Sequence, residues 1–297
     1  MKQLCAASAF GYISDMPLTP PVVLTIAGFD PSSGAGVTAD IKTIAAHACY
    51  GVACITALTV QSTAAVWRVQ PVEADLILET LNELASDIEI SAVHLGMLGS
   101  GKVVKVVADF LQREKFKNVV LDPILTSSSG APLLDSSGSR LMIERLVPLA
   151  TVVTPNLDEA AALTGVVVNN PEQMKSAALK LHSLGAAAVV VTGGHLEKAI
   201  DLLSFTSKRG VQQEIFKSDR LRSTSTHGTG CAFATAIACH LALDRGLPEA
   251  VLLAKAYITA AISNAYPLGR GTGPVHHLYR MHQTARRVNV PDPEPVH

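Results

Sequence analysis

A regular exchange of hydrophobic period constrains this chain more than any other feature. Short β-branched runs at 22–27, 54–60, 92–97, 118–121, 151–154 and 188–192 are largely apolar on both faces. Strands buried between two layers read this way. Between and after them lie stretches of helical spacing: about 37–47, 74–86, 102–114, 139–146, 158–164, 171–184, and two Ala-rich segments near 230–243 and 248–265. Strand and helix in alternation, joined by short connections, predict an α/β fold with a largely parallel central sheet. Residues 200–222 instead alternate apolar and polar around Lys208-Arg209-Gly210, which predicts an antiparallel hairpin. With no linker in view, residues 21–285 are expected to form one domain. Residues 1–20 are expected to be a disordered leader, with Met16 as an alternative start, and 286–297, with three prolines, a flexible tail.

Composition narrows the function. The chain is 48% hydrophobic and 16% charged, with a formal net charge of -1 and no basic block. Nucleic acid and anionic membrane surfaces are therefore not expected as partners. No run of about 18 uninterrupted apolar residues occurs, so no transmembrane helix is expected. Five cysteines (Cys5, Cys49, Cys54, Cys231 and Cys239), odd in number and without a C-x-x-C, fit a reducing cytoplasm.

The unusual loops all follow strand ends: 28–36, 96–99, 122–123, 155–156 and 193–194. In open parallel sheets ligands bind outside those ends. A further loop, Thr226-His227-Gly228-Thr229-Gly230-Cys231, opens an Ala-rich helix. Unpaired N–H groups at a helix start attract anions, and glycines let a phosphate approach. The loop 28–36 is neither a Rossmann fingerprint nor a Walker A loop, because its glycine spacing is wrong and no Gly-Lys-Ser/Thr follows. It does open a helix with Asp40 one turn in, which alone reads as an exposed helical carboxylate.

Taken in order, the motifs form a pattern. They are Ala27-Gly28-x-Asp30-Pro31-Ser32-x-Gly34-Ala35-Gly36-x-x-Ala39-Asp40-x-Lys42-Thr43, Ile55-Thr56-Ala57-Leu58-Thr59-x-Gln61, Gly96-Met97-Leu98, Asp122-Pro123, Thr154-Pro155-Asn156-Leu157-x-Glu159-Ala160, Gly193-Gly194-His195, Thr226 to Cys231, and Gly271-x-Gly273-Pro274-Val275-His276. This series resembles the hydroxymethylpyrimidine/phosphomethylpyrimidine kinases of thiamine biosynthesis, a branch of the ribokinase-like fold. The resemblance implies a three-layer α/β/α domain with a mostly parallel sheet. It implies ATP-dependent phosphorylation of 4-amino-5-hydroxymethyl-2-methylpyrimidine, then of its monophosphate, with Mg²⁺. Pyridoxine or pyridoxal phosphorylation is the neighbouring activity, and a non-catalytic pyrimidine- or pyridoxal-phosphate-binding protein would keep the same fold. Family members are often homodimers.

The resemblance also implies roles. Gly228, Thr229, Gly230 and Cys231 would cradle the transferred phosphoryl group, with Cys231 either a thiolate base or part of the anion hole. Gly28, Asp40, Gln61 and Met97 would contact the pyrimidine, although core packing explains Met97 equally well. Asn156, Thr192, Gly194, His195 and His227 would line the nucleotide. For the two histidines, loop positioning and proton transfer are both open. Asp122 and Glu159 would hold Mg²⁺, directly or through water. Two departures stand out. Thr192 occupies a position where many members carry Lys, and Ser127-Ser128-Ser129-Gly130 replaces a loop that often contains Lys.

Overall fold

In the computed structural model, which describes residues 19–127, 130–194, 199–218, 221 and 223–281, the alternation resolves into one nine-stranded sheet. Its strands are β1 (Val22–Phe29), β2 (Tyr50–Gln61), β3 (Val66–Pro71), β4 (Ala92–Leu95), β5 (Val119–Leu121), β6 (Val152–Val153), β7 (Ala188–Gly193), β8 (Ala199–Ser207) and β9 (Gly210–Ser218). They lie in the order β3-β2-β1-β4-β5-β6-β7-β8-β9. Strands β2, β1, β4, β5, β6 and β7 run parallel; β3 pairs antiparallel with β2 at one edge, and at the other β8 pairs antiparallel with both β7 and β9.

The helices are α1 (Gly36–Ala46), α2 (Ala74–Asp87), α3 (Gly101–Glu114), α4 (Ser136–Leu141), α5 (Leu157–Thr164), α6 (Pro171–Ser183), α7 (Thr229–Ala242) and α8 (Leu247–Ser263). Successive strand residues face opposite layers. Leu24, Ile26, Val93, Leu95, Val119 and Leu121 pack with Ile77 of α2, Val103 and Val107 of α3, Ala160 of α5 and Met174 of α6. Val23, Ala92, Val120, Val152 and Val190 face Ile44 of α1, Ile237 of α7 and Ala254 of α8. Each fully buried aliphatic side chain contributes about 1.5–3 kcal/mol. A one-residue slip of any central strand would therefore be severely destabilising, and the register is firmly set. The same parity decides where two polar residues go. Thr25 shares a face with Val23, and His94 with Ala92, so both point into the layer of α1 and α7.

Three local features differ from the sequence expectation. β3 was not expected, because Trp67, Arg68 and Gln70 are exposed and the strand lacks a buried alternation. β2 runs from Tyr50 rather than 54. The helix expected at 139–146 starts earlier, where Asp135 caps it by accepting the Gly138 N–H at 2.6 Å, and ends in a π-helical turn, Met142–Leu146. The hairpin is present, turning at Lys208-Arg209 between Ser207 and Gly210. Among the described residues no helix is long and apolar enough to cross a membrane. The expected leader, apart from Thr19 and Pro20, and the expected tail lie outside the described residues.

Beneath α7, His47 lies with its ring 4.9 Å from that of His240 and 4.5 Å from that of Tyr257. Burial, with the nearby charges of His47 and Arg245, pushes His240 down to about 4. An unfolded histidine binds its proton near 6.5, so on acidification the unfolded chain takes up a proton that the folded one refuses. Stability from this group is full above 6.5 and falls as pH drops toward 4. Asp122 and Glu159, described below, titrate in the opposite sense, so the test is a difference. Going from pH 7 to pH 4.5, His240→Leu should gain about 1–2 kcal/mol on wild type in urea unfolding. A gap that does not change with pH would refute the account.

Candidate active site

Two glycine loops meet at the carboxyl edge of the sheet. Gly36 begins α1 at φ +61, and an added Cβ would lie 2.2 Å from the Gly28 carbonyl oxygen. Gly228 begins α7 at φ +76, where a Cβ would lie 1.9 Å from the Gly34 carbonyl oxygen. Only glycine combines that conformation with that approach. The loops 28–36 and 226–231 therefore touch backbone to backbone.

Asp30 braces this junction. Its carboxylate accepts the Ser32 N–H at 2.8 Å, the Ser32 hydroxyl at 2.7 Å and the Ala35 N–H at 3.0 Å, and His227 Nε2 lies 2.8 Å away. Burial would raise the Asp30 carboxyl, but the bonds from His227 and Ser32 outweigh it and hold it below the usual range. His227 Nε2 is also 3.3 Å from Gln61 Nε2, and the Thr59 hydroxyl donates to Gln61 Oε1 at 3.1 Å. His227 thus stands with Gln61 and Asp30, although it was expected on the nucleotide side. Its backbone pairs with the last motif, donating to the Gly273 carbonyl at 3.0 Å.

The start of α7 is left open. Gly228 provides no side-chain cap, and Thr229 turns both its N–H and its hydroxyl back onto the Thr226 carbonyl, at 3.3 and 2.7 Å. The Gly230 and Cys231 N–H groups have no protein acceptor among the described residues. A Cβ at Gly230 would meet only Asp122 Oδ2, at 3.9 Å. This is an uncapped helix N-terminus facing open space, the local geometry that binds anions.

Below it lie Asp122, at the end of β5, and Glu159, in the first turn of α5. Asp122 Oδ2 is buried without a hydrogen-bond partner. Burial pushes Asp122 up to about 6, partly offset by the charge of His94. Burial and then the charge of Asp122 push Glu159 up to about 8. Glu159 also closes a capping box: Oε2 accepts the Asn156 N–H at 2.9 Å, and Asn156 Oδ1 accepts the Glu159 N–H at 2.9 Å. The Cys231 thiol is raised well above its ordinary value by burial first, then by the charges of Asp122 and Asp40, against one hydrogen bond from the Gly36 backbone. Burial and the neighbouring carboxylates thus work against the thiolate that the helix N-terminus would favour.

Asp40 does not line an open pocket. It is 0% exposed; Oδ2 accepts the Thr25 hydroxyl at 2.7 Å and Oδ1 the Thr235 hydroxyl at 2.8 Å, while His94 Nδ1 lies 3.3 Å from Oδ2. The expected direct contact with a substrate amino group is not available in this arrangement, because those neighbours enclose both oxygens. Burial alone would lower His94, but the Asp40 and Asp122 carboxylates raise it. Met97 is buried with Ala57 and Leu133, and its Sδ lies 3.0 Å from where a Cβ on Gly28 would sit. Gly28, Met97 and Gln61 thus share one end of the edge. At the other, Asn156 bridges Thr192, whose N–H donates to the Pro155 carbonyl at 2.9 Å, and Gly194 is exposed. His195, Ser128 and Ser129 lie outside the described residues.

Asp30 and His94 were not singled out from the sequence. Asp30 stood inside the quoted Gly-x-Asp-Pro motif, and its position between two glycine loops was the available signal. His94 carried one as well, a titratable residue in an otherwise apolar strand.

Known proteins resemble this chain over most of its length. The phosphomethylpyrimidine kinase family model matches residues 30–276. A hydroxymethylpyrimidine/phosphomethylpyrimidine kinase of Streptomyces coelicolor is 41% identical over 262 residues, 88% of this chain and 96% of that protein. A thiamine biosynthesis bifunctional protein of Geobacter sulfurreducens is 43% identical over 258 residues, 86% of this chain; the chain spans about half of that protein, 52%. A Bacillus subtilis pyridoxal kinase, solved as an ADP complex, superposes with a TM-score of 0.80 at 34% identity, covering 91% of this chain and 100% of that one.

Proposed function

The chain belongs to the phosphomethylpyrimidine kinase family, and on that premise we propose that it transfers the γ-phosphoryl group of ATP to 4-amino-5-hydroxymethyl-2-methylpyrimidine and then to the resulting monophosphate. The observation that carries this reading is the uncapped start of α7. It offers the Gly230 and Cys231 N–H groups between the Gly28–Met97–Gln61 end and the Asn156–Thr192–Gly194 end of one edge.

Phosphoryl transfer depends on positioning and charge neutralisation more than on covalent chemistry. Two backbone N–H groups and the α7 dipole would take up charge on the transferred group. Met97 and the flat backbone at Gly28 would offer an apolar wall to an aromatic ring, and Gln61, held by Thr59 and His227, would present its amide to ring nitrogens. Thr192, Asn156 and Gly194 would meet the nucleotide. Cys231, whose thiol is disfavoured as a thiolate by burial and by Asp122, would complete the wall of the anion site rather than serve as the base.

Asp122 and Glu159 fit Mg²⁺. The buried, unpartnered Asp122 Oδ2 beside the Glu159 carboxyl supports that assignment. No group of three His, Cys, Asp or Glu side chains able to hold a metal occurs among the described residues. The ion would then be held largely by water and phosphate oxygens, as is usual for Mg²⁺, and would neutralise the phosphates when bound.

The reading extends to a cytoplasmic enzyme with small-molecule substrates that self-associates as a homodimer. Pyridoxine or pyridoxal is the second substrate reading, favoured by the superposition on a pyridoxal kinase. The test compares ATP-dependent ADP release with the pyrimidine alcohol, its monophosphate and pyridoxine. Turnover highest on the two pyrimidines is expected. A preference for pyridoxine would replace the first reading with the second. Tight ligand binding without phosphorylation of any of them would leave only a binding protein.

A further inference from the structure

Behind the end of β7 lies a buried ion pair that the site described above does not use. Lys255 of α8 contacts Asp201 of β8, and their side chains are 14% and 7% exposed. Lys255 holds Asp201 through Oδ2, while Oδ1 accepts the Gly193 N–H at 3.1 Å. In the strand register Asp201 stands opposite Thr192. The Thr192 N–H is fixed separately by the Pro155 carbonyl. Successive backbone N–H groups are thus tied in two directions, Thr192 toward the segment before α5 and Gly193, through Asp201, toward α8.

Fold stability alone does not account for such a pair. Two charges removed from water gain little over a well-packed apolar pair, and the better-attested use of buried ionic groups is to specify one arrangement. What this pair specifies is the backbone at Thr192-Gly193, where the strand gives way to exposed Gly194.

We propose that Lys255 and Asp201 are positioning residues for the nucleotide, holding the backbone from Thr192 to Gly194 in the geometry that receives the ATP phosphates. The proposal rests on the nucleotide-binding reading of Thr192 and Gly194. It also states what Lys255 does not do. Its ammonium is engaged by Asp201, so it supplies rigidity to this loop and not the phosphate-facing cation that Thr192 lacks.

The test uses the full chain, with AMP-PCP binding by calorimetry and steady-state kinetics on the pyrimidine alcohol. Two double variants remove both charges together, so neither leaves an unpaired one. Asp201→Leu/Lys255→Met deletes the acceptor for the Gly193 N–H, and Asp201→Asn/Lys255→Met retains one. The Leu variant is expected to bind AMP-PCP about tenfold more weakly and to raise KM for ATP about tenfold, with kcat and pyrimidine KM within about twofold of wild type. The Asn variant is expected to recover most of that affinity. Unchanged nucleotide affinity in the Leu variant would overturn the proposal, as would equal losses for both substrates accompanied by a lower Tm. If the Leu variant does not fold, Asp201→Ala/Lys255→Met takes its place: about a tenfold loss of AMP-PCP affinity in the folded protein supports the proposal, and unchanged affinity overturns it. Wild-type protein that binds no adenine nucleotide would instead overturn the kinase reading itself, before any variant is compared.

Discussion

Replacing Gly228 with alanine is expected to lower phosphoryl transfer at least a thousandfold. At φ +76 an L-residue costs about 1–2 kcal/mol in backbone strain. The larger effect is steric. The new Cβ would lie 1.9 Å from the Gly34 carbonyl oxygen and 2.9 Å from its carbon, and both belong to backbone. Neither can rotate aside, so loop 28–36 or the start of α7 must move. A displacement of about 1 Å in a positioned group costs on the order of a hundredfold, and loss of one anion-hole donor a further hundred- to thousandfold. Both Gly230 and Cys231 N–H groups would move together. Cys231→Ala is the control, because it removes the sulfur and keeps both backbone donors. It should slow turnover only about tenfold. Initial rates of ADP release with circular dichroism on each variant check this; a Gly228→Ala protein retaining a tenth of wild-type rate would show that the loop contact does not set the donor geometry.

The second large effect is on stability. Asp40→Ala is expected to cost about 3–5 kcal/mol, because it strips a buried acceptor from Thr25, Thr235 and His94 at once. For a domain of this size that corresponds to a Tm lower by roughly 8–15 °C. Asp40→Asn keeps the volume and one oxygen but offers an amide to one hydroxyl, so it should fall between. A recognition role alone predicts the reverse: a higher KM for the pyrimidine with Tm unchanged. Thermal melts and KM measured on the same preparations separate the two. An unshifted Tm in Asp40→Ala would mean that the enclosed carboxylate carries no structural load.

These two residues show where the sequence is informative and where it stops. Gly228 could be placed at a helix start from its neighbours alone, because glycine spacing and the apolar run after it are local signals. What it approaches is not local. Gly34 is far away in the chain, and nothing around either residue names the other. Asp40 is the sharper case. Its motif marked it as functional, and a carboxylate one turn into a helix reads as exposed. Only the packing of α1 against β1 and α7 shows that Thr25 and Thr235 enclose it, the second 195 residues distant. The sequence position of His227, in a glycine loop at a helix start, points to the nucleotide. The fold turns its ring instead to Asp30 and Gln61.

The sequence by itself determined the α/β class, the order of the central strands and helices along the chain and the set of loops to which the chemistry is assigned by proposal. Each of these rests on periodicity or on residue types that only a few backbone conformations accept, and both are properties of short segments. Tertiary structure alone decided the order of the nine strands, the edge strand β3, the burial of Asp40 and Asp122 and the partners of His227 and Asp201. Those depend on which distant segments meet. That follows from the closing of hydrophobic faces on both sides of the sheet, which brings polar groups together whether or not their local sequences record it.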